Sequence, residues 1–589
     1  MSSIIDNLGY YLSVGVLGLG LLLGRPNLSA QTLAGTDGLG RILPLNKEVG
    51  DPQENAHVAM FYFLWQGDAG SPTSPEYWNL TDIVKEHPEV LHDFDNANWG
   101  GGVGSYYFWG EPIYGYYNGC DYWVHLKNMQ LLTDAGIDMV VLDATNRLTY
   151  IPQVRVLQKA LDAIREQGRK APKIVFYTNT MSGDAMQEIY DTFYKEGAPY
   201  RNEDCWFYLD GKPLIIGVSA EANGRNYASF FTIRESQWPT VEKKENGWPW
   251  IEFVRPQPVY ENSRGEKEII NVSVCQHPDA VAGMGGAAFY GNPNNWGRSY
   301  RNGSHGNPET DIKYGYNFQE QWNVALKERP PFVYVTGWNE WIAGRWKSPD
   351  GDPEKSYFCD QASPEYSRDI EPTRTAGLDD HYYMQLVGNV RRYKGVAKNE
   401  PLGAMKTIKS LSDWADVTPV FADYTGDAVL RYARGAQAAE YYYVNNTGRN
   451  DFDKMKVARD YKNLYFYASM ARNIILSEED DDWVALYIDA DRSHDTGWNG
   501  FDYRVIRGKF LQKYDNSWNT VAKIRCTMEN NEMMFSIPLA ALGMSPDNLN
   551  FEFKWNDNCF VQGEMDPMLW YVNGDTAPGA RFTYLVVSE

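Results

Sequence analysis

IDMVVLDATN (137–146) and FVYVTGWNEW (332–341) decide how this chain is read. Each is a short, unbroken apolar run that ends abruptly in polar and aromatic residues. A strand covered by helices on both faces is apolar at consecutive positions, whereas a strand with one wet face alternates. Residues just beyond such a run stand at the C-terminal end of the strand, where parallel barrels carry their reactive groups. The same pattern recurs at 58–64, 174–177, 214–218, 251–254 and 270–274. Amphipathic stretches at 122–135, 152–167, 185–196, 312–327 and 379–394 alternate with these runs. Seven strands are one short of a closed barrel, and the eighth is expected in the glycine-rich stretch 283–307. An open doubly wound sheet would bring a nucleotide loop, and no Gly-x-Gly-x-x-Gly or Walker sequence follows any run. The fold class expected is therefore α/β, a (β/α)8 TIM-type barrel over 55–395.

Beyond 395 the pattern changes. Residues 396–412 read as a polar linker. From 413 to 589 short strands (464–468, 484–488, 503–506, 533–537, 551–555) are punctuated by turns, which predicts an all-β sandwich. At the other end, the 13-residue apolar run 12–24 has the length of a signal h-region and is short for a bilayer span. Residues 1–30 are read as a signal peptide and 31–54 as a linker, which places the mature chain in the periplasm or outside the cell with no stable membrane insertion. The formal net charge of −22 argues against a nucleic-acid partner. Six scattered cysteines offer neither a disulfide framework nor zinc spacing. The rings with a polar edge, 20 Trp and 41 Tyr against 24 Phe, suit a carbohydrate partner, since such rings stack on sugars and hydrogen-bond at their rim.

The strand ends supply the candidate chemistry. Glu340, set among Trp338, Asn339 and Trp341, is the first candidate catalytic carboxylate, with its proton affinity open to tuning by the neighbouring indoles. Asp143 after the second run is the second, although an Asp there also caps helices. Tyr62 and Trp65, Tyr177 and Asn179, and Gln276 and His277 end three further runs and are read as substrate-binding residues. Glu111 lies in a long aromatic loop. Asp369 and Glu371 lie in EYSRDIEP (365–372), where internal ion pairing is the competing reading. In the C-terminal half, Trp483, Trp498 and Trp518 are candidates for a sugar clamp and otherwise belong to the core. Asp489, Asp491 and Asp495 are spaced to offer oxygen ligands to a structural calcium ion. No other cofactor is implied.

AGIDMVVLDATN, DGKPL (210–214) and above all GWNEW (337–341) resemble the glycoside hydrolase family 99-like proteins over about 55–395. This resemblance implies a (β/α)8 barrel acting on glycans. Family 99 carries Asn-Glu-Trp-His-Glu, in which the first Glu is the base on the sugar 2-hydroxyl and the second the general acid. Glu340 matches the first, but the second position is Ala343, so a second carboxylate would have to come from elsewhere. VARD (457–460), NLYF (463–466), ALYIDAD (485–491) and GFDYR (500–504) resemble family 9 carbohydrate-binding modules over about 410–589. The function expected is an exported glycoside hydrolase working by carboxylate acid–base chemistry; the alternative is a non-catalytic glycan-binding protein on a degenerate hydrolase barrel.

Overall fold

The computed structural model describes residues 31–67, 78–278, 289, 294–348, 351–358, 362–436, 441–560 and 563–588. The expected signal peptide lies outside them. Among the described residues no helix is long and apolar enough to cross a membrane.

Eight parallel strands form the central sheet: β1 (His57–Tyr62), β2 (Met139–Ala144), β3 (Lys173–Thr178), β4 (Lys212–Gly217), β5 (Thr232–Gln237), β6 (Gly247–Pro249), β7 (Lys267–Ser273) and β8 (Phe332–Thr336). Their order across the sheet is β6-β5-β4-β3-β2-β1-β8-β7, every neighbouring pair parallel. This is the sequential order of a barrel opened between β6 and β7. Side chains span that gap. Asn271 on β7 donates to the carbonyls of Pro249 (3.4 Å) and Trp250 (3.0 Å). Nearer the opposite end, Glu268 accepts from the indole of Trp248 (2.6 Å) and from Arg234 (2.5 Å). The short antiparallel strand Tyr260–Glu261 adds to β7 beside the same gap.

Two of the eight strands differ from the sequence reading. The run 251–254 is not a strand: it turns where the Glu252 carboxylate accepts from the amides of Phe253 and Val254, groups a strand would give to a neighbour. β6 lies just before it. The remaining strand is β5, reading TIRESQ, and not the stretch 283–307, whose described part carries isolated bridges only. β5 lacks an apolar run because Arg234 is satisfied by Glu268 inside the protein.

The longer helices are α1 (Tyr122–Asp134), α2 (Ile151–Arg165), α3 (Ser182–Ile189), α4 (Tyr316–Glu328) and α5 (His381–Lys394), following β1, β2, β3, β7 and β8. Among the described residues β4 leads only to a 3-10 turn, and β5 and β6 lead to turns. The (β/α)8 expectation is thus corrected to a nearly closed eight-stranded parallel sheet with helices on five of its connections. Alternation along β1 shows its two buried faces: Val58, Met60 and Tyr62 pack toward the helices, and Ala59, Phe61 and Phe63 fill the barrel interior.

A small sheet of Trp78–Asn79, Tyr106–Phe108, Ile342–Lys347 and Ser356–Phe358 continues from the end of β8. The C-terminal half has two larger antiparallel sheets around a shared core that includes Phe466, Phe535, Phe553 and Trp555, and a two-stranded sheet of Arg431–Arg434 and Tyr442–Asn445. The segment expected as an N-terminal linker contributes to it, Ala34–Gly35 pairing with Phe582–Val587. The two halves are also joined by buried polar contacts: Asp380 on the barrel side accepts from Tyr571 (2.8 Å) and Arg581 (2.5 Å), and Asp121 pairs with Arg431 (2.8 Å).

Candidate active site

The loop after β8 is pinned to β1. Trp338 donates its amide to the Phe61 carbonyl at 2.9 Å. The Asn339 side chain accepts from the Phe63 amide (2.9 Å) and donates to the Phe63 carbonyl (3.1 Å), so one carboxamide pairs with a backbone as another strand would. Tyr117 receives its second amide hydrogen at 2.9 Å. Both indoles turn to the outer core, Trp338 edge-on to Tyr383 and Trp341 among Phe108, Tyr116 and Tyr117. The expectation that they flank the carboxylate is corrected. Glu340 instead turns to a cation, with its side chain 13% accessible.

That cation is Arg368, whose side chain is fully buried. Its Nη2 donates to Glu340 Oε2 at 2.7 Å, and its Nη1 lies 3.0 Å from His277 Nδ1. A guanidinium has only donors, so His277 accepts at Nδ1 and carries its proton on Nε2. Burial, reinforced by Arg368, pushes the His277 pKa well below the usual imidazole range, which keeps it an acceptor. The guanidinium also lies over Trp250, 5.5 Å from the ring centre. Trp250 meets Trp238 (5.4 Å) and Phe61 (5.9 Å), and Phe253 stands edge-on to His277 (4.9 Å). Loops after β6, β7 and β8 therefore converge on one carboxylate within an aromatic wall.

Asp143, half-buried at the end of β2, accepts from the Thr145 amide at 3.0 Å, and burial raises its pKa. It turns inward like Met139 and Val141, and its charge is felt by Tyr177, Tyr334 and Tyr150. β2 and β8 flank β1, so their backbones stand about 9–10 Å apart, two inter-strand spacings. Asn179, just beyond the end of β3, accepts from Ser236 at 2.9 Å, and Trp65 is half-buried against Tyr106. Tyr177 is the register partner of Asp143 on β3, its hydroxyl donating to the Trp248 carbonyl (3.0 Å) and accepting from the Gln237 amide (2.9 Å).

Other sequence candidates lie elsewhere. Tyr62 faces α1 because of its strand parity, with its hydroxyl 3.0 Å from His125 Nδ1. Gln276 pairs by its backbone with Trp296, and its side chain accepts from Asn317 on α4 (3.1 Å). Glu371 is buried behind β1, where Tyr117 and Asn128 each donate at 2.9 Å; burial, with Asp369 adding to it, lifts its pKa to about 8. Asp369 accepts from Arg298 at its backbone carbonyl (2.7 Å). Glu111 lines a groove with Arg374 and Tyr443, toward the C-terminal half. Ala343 lies in Ile342–Lys347 opposite Tyr107, buried among Trp99, Trp109 and Phe358. In the sandwich, Trp483 is core, while Trp498 and Trp518 are half-buried beside Tyr487. Asp489 and Asp491 do approach one another, with Asp502 in the place expected for Asp495.

Arg368, Trp238, Trp250 and Phe253 were not singled out from the sequence. The signal for Arg368 was the lone cation in EYSRDIEP, whose partner is 28 residues away along the chain. No family model matches the chain, and no curated protein does. Among solved structures it is similar to a GH99 endo-alpha-mannosidase from Bacteroides thetaiotaomicron, at 14% identity over 57% of this chain and 97% of that one, with a TM-score of 0.34. A glycoside hydrolase-like protein matches at 11% identity over 59% and 96%, with a TM-score of 0.29.

Proposed function

We propose that the protein is an exported glycoside hydrolase whose reaction centre is the mouth around Glu340. The observation that carries this reading is a part-exposed carboxylate held by a buried guanidinium inside an aromatic wall. Arg368 keeps one Glu340 oxygen engaged and leaves the carboxylate suited to act as base or nucleophile, because a charge-assisted bond favours the anion. Asp143, pushed toward its neutral form by burial, is the acid. Protonating the leaving oxygen and assisting attack are complementary tasks, divided between two carboxyl groups by their surroundings. His277 positions Arg368, while Asn179 and Trp65 contact the sugar. The test is hydrolysis of a glycan panel by the wild type, Glu340→Gln and Asp143→Asn. Loss of turnover in both with retained sugar binding supports the assignment; unimpaired turnover in Glu340→Gln overturns it.

The second reading is a glycan-binding protein without turnover. Ala343 favours it, since a buried small residue in a strand stands where the family 99 motif has its acid. Binding by the wild type with no hydrolysis of any ligand it retains would decide for this reading.

A further inference from the structure

The joint between the two halves holds a second concentration of carboxylates. Asp423 and Asp427 follow the strand Val420–Ala422, Asp451 precedes Phe452–Arg459, and Asp575 opens Asp575–Ala577. One carboxylate oxygen from each of Asp427, Asp451 and Asp575 lies within 4.8 Å of the other two. Oxygens on opposite sides of a calcium ion, each about 2.4 Å from it, stand about 4.8 Å apart, so all three fit one coordination sphere.

Unsatisfied atoms point the same way. Asp427 is 6% exposed; its Oδ2 accepts from Lys127 (2.9 Å) and Gln130 (3.0 Å) on α1, while its buried Oδ1 accepts no hydrogen bond. Asp451 Oδ2 accepts from the Gly426 amide (2.8 Å), and its Oδ1 is likewise buried and unbonded. Asp423 Oδ2 is a third such atom. Asp423, Asp427 and Asp575 line a cavity of about 30 Å³, larger than one water needs. Buried oxygens without a donor are costly and rare.

Nearby cations do not answer them all. Lys127 bonds Asp427, Arg169 stacks on Tyr424 (3.9 Å), and Lys554 donates to the carbonyls of Pro578 and Phe582. We propose that Asp427, Asp451 and Asp575 bind one calcium ion that fastens the C-terminal half to helix α1. Oxygen-only ligands exclude a zinc preference, and an irregular set from three separate segments suits calcium better than the strict octahedron of magnesium.

The test uses the full chain, stripped with EDTA and melted with CaCl2 or MgCl2 added back. Calcium should raise the Tm of the wild type by about 3 to 5 °C at saturating concentration, with magnesium much less effective. Asp451→Asn should abolish the rise, whereas Asp491→Asn, in the separate Asp489, Asp491 and Asp502 cluster, should preserve it. Should Asp451→Asn fail to fold, terbium luminescence takes its place. Trp570 lines the cavity, so sensitised emission should appear in the wild type and in Asp491→Asn, fall on adding calcium, and be lost in Trp570→Phe. Coincident melts with EDTA and calcium, equal effects of the two metals, a calcium response lost only in Asp491→Asn, or terbium emission unchanged in Trp570→Phe would overturn the proposal.

Discussion

The barrel mouth and the joint between the halves both gather acidic groups, but they balance them differently. At the mouth Glu340 meets Arg368 at 2.7 Å and keeps some contact with solvent. At the joint Asp423, Asp427, Asp451 and Asp575 crowd around Lys127, and three of their oxygens are buried without a donor. Glu371, behind β1, is a third case: it is answered by a phenol and an amide, with its pKa raised to about 8. The same side-chain chemistry thus becomes a partner of a guanidinium, a cluster short of donors or a buried group held by neutral donors, according to what faces it.

The largest effect that would break this contrast is on turnover. Glu340→Gln should lower kcat/KM by about 10³-fold or more on any glycan the wild type hydrolyses, while leaving sugar affinity within a few-fold. Steady-state kinetics beside binding calorimetry reads both.

Stability should follow the asymmetry of the same pair. Glu340→Ala removes an anionic partner from a fully buried guanidinium and should cost about 3 kcal/mol, measured as a shifted denaturant midpoint at unchanged slope. Arg368→Met leaves a carboxylate that water can reach and should cost clearly less. Equal costs would mean that the accessibility of Glu340 does not matter.

At the joint, Asp380→Asn removes the anion that Arg581 and Tyr571 share. It should cost about 2 kcal/mol and move the unfolding of both halves together. Followed by fluorescence and by proteolysis at sites in each half, two separated transitions would show that the halves melt independently.

The last effect is a slope. The Glu371 pKa is raised from 4.5 to about 8, so between these values the native state holds a proton that the unfolded state has lost. Stability therefore falls with rising pH across that window, by up to about 1.4 kcal/mol per unit, and the penalty is absent below about 4.5 and complete above about 8. Glu371→Gln, permanently neutral, should remove that part of the slope in denaturation curves between pH 5 and pH 8. An unchanged slope would mean that Glu371 is ionised in the native state.

Strand parity explains much of what the sequence could and could not locate. Consecutive apolar residues revealed β1, β2, β3, β4, β7 and β8, because burial on both faces leaves no polar position to mislead. β5 was hidden by Arg234, whose partner Glu268 comes from another strand. β6 was read as the apolar run just beyond it, because hydrophobicity there serves the mouth and not a ladder. Within the site, Glu340 and Asp143 were legible as carboxylates at strand ends. Tyr62 was misplaced for want of knowing which parity faces inward, and Trp338 and Trp341 because a tight loop can turn neighbouring rings away from the residue between them.

By itself, the sequence determined the parallel sheet, the change to an antiparallel half and the identity of Glu340 as a carboxylate after a buried strand, since all three depend on local periodicity. Only the tertiary structure decided that Arg368 and His277 face Glu340, that Glu371 is withdrawn behind β1, and that four aspartates meet at the joint. Those outcomes depend on contacts between residues far apart in the chain, and a side chain's charge, proton affinity and ligands are set by what packing brings within about 4 Å.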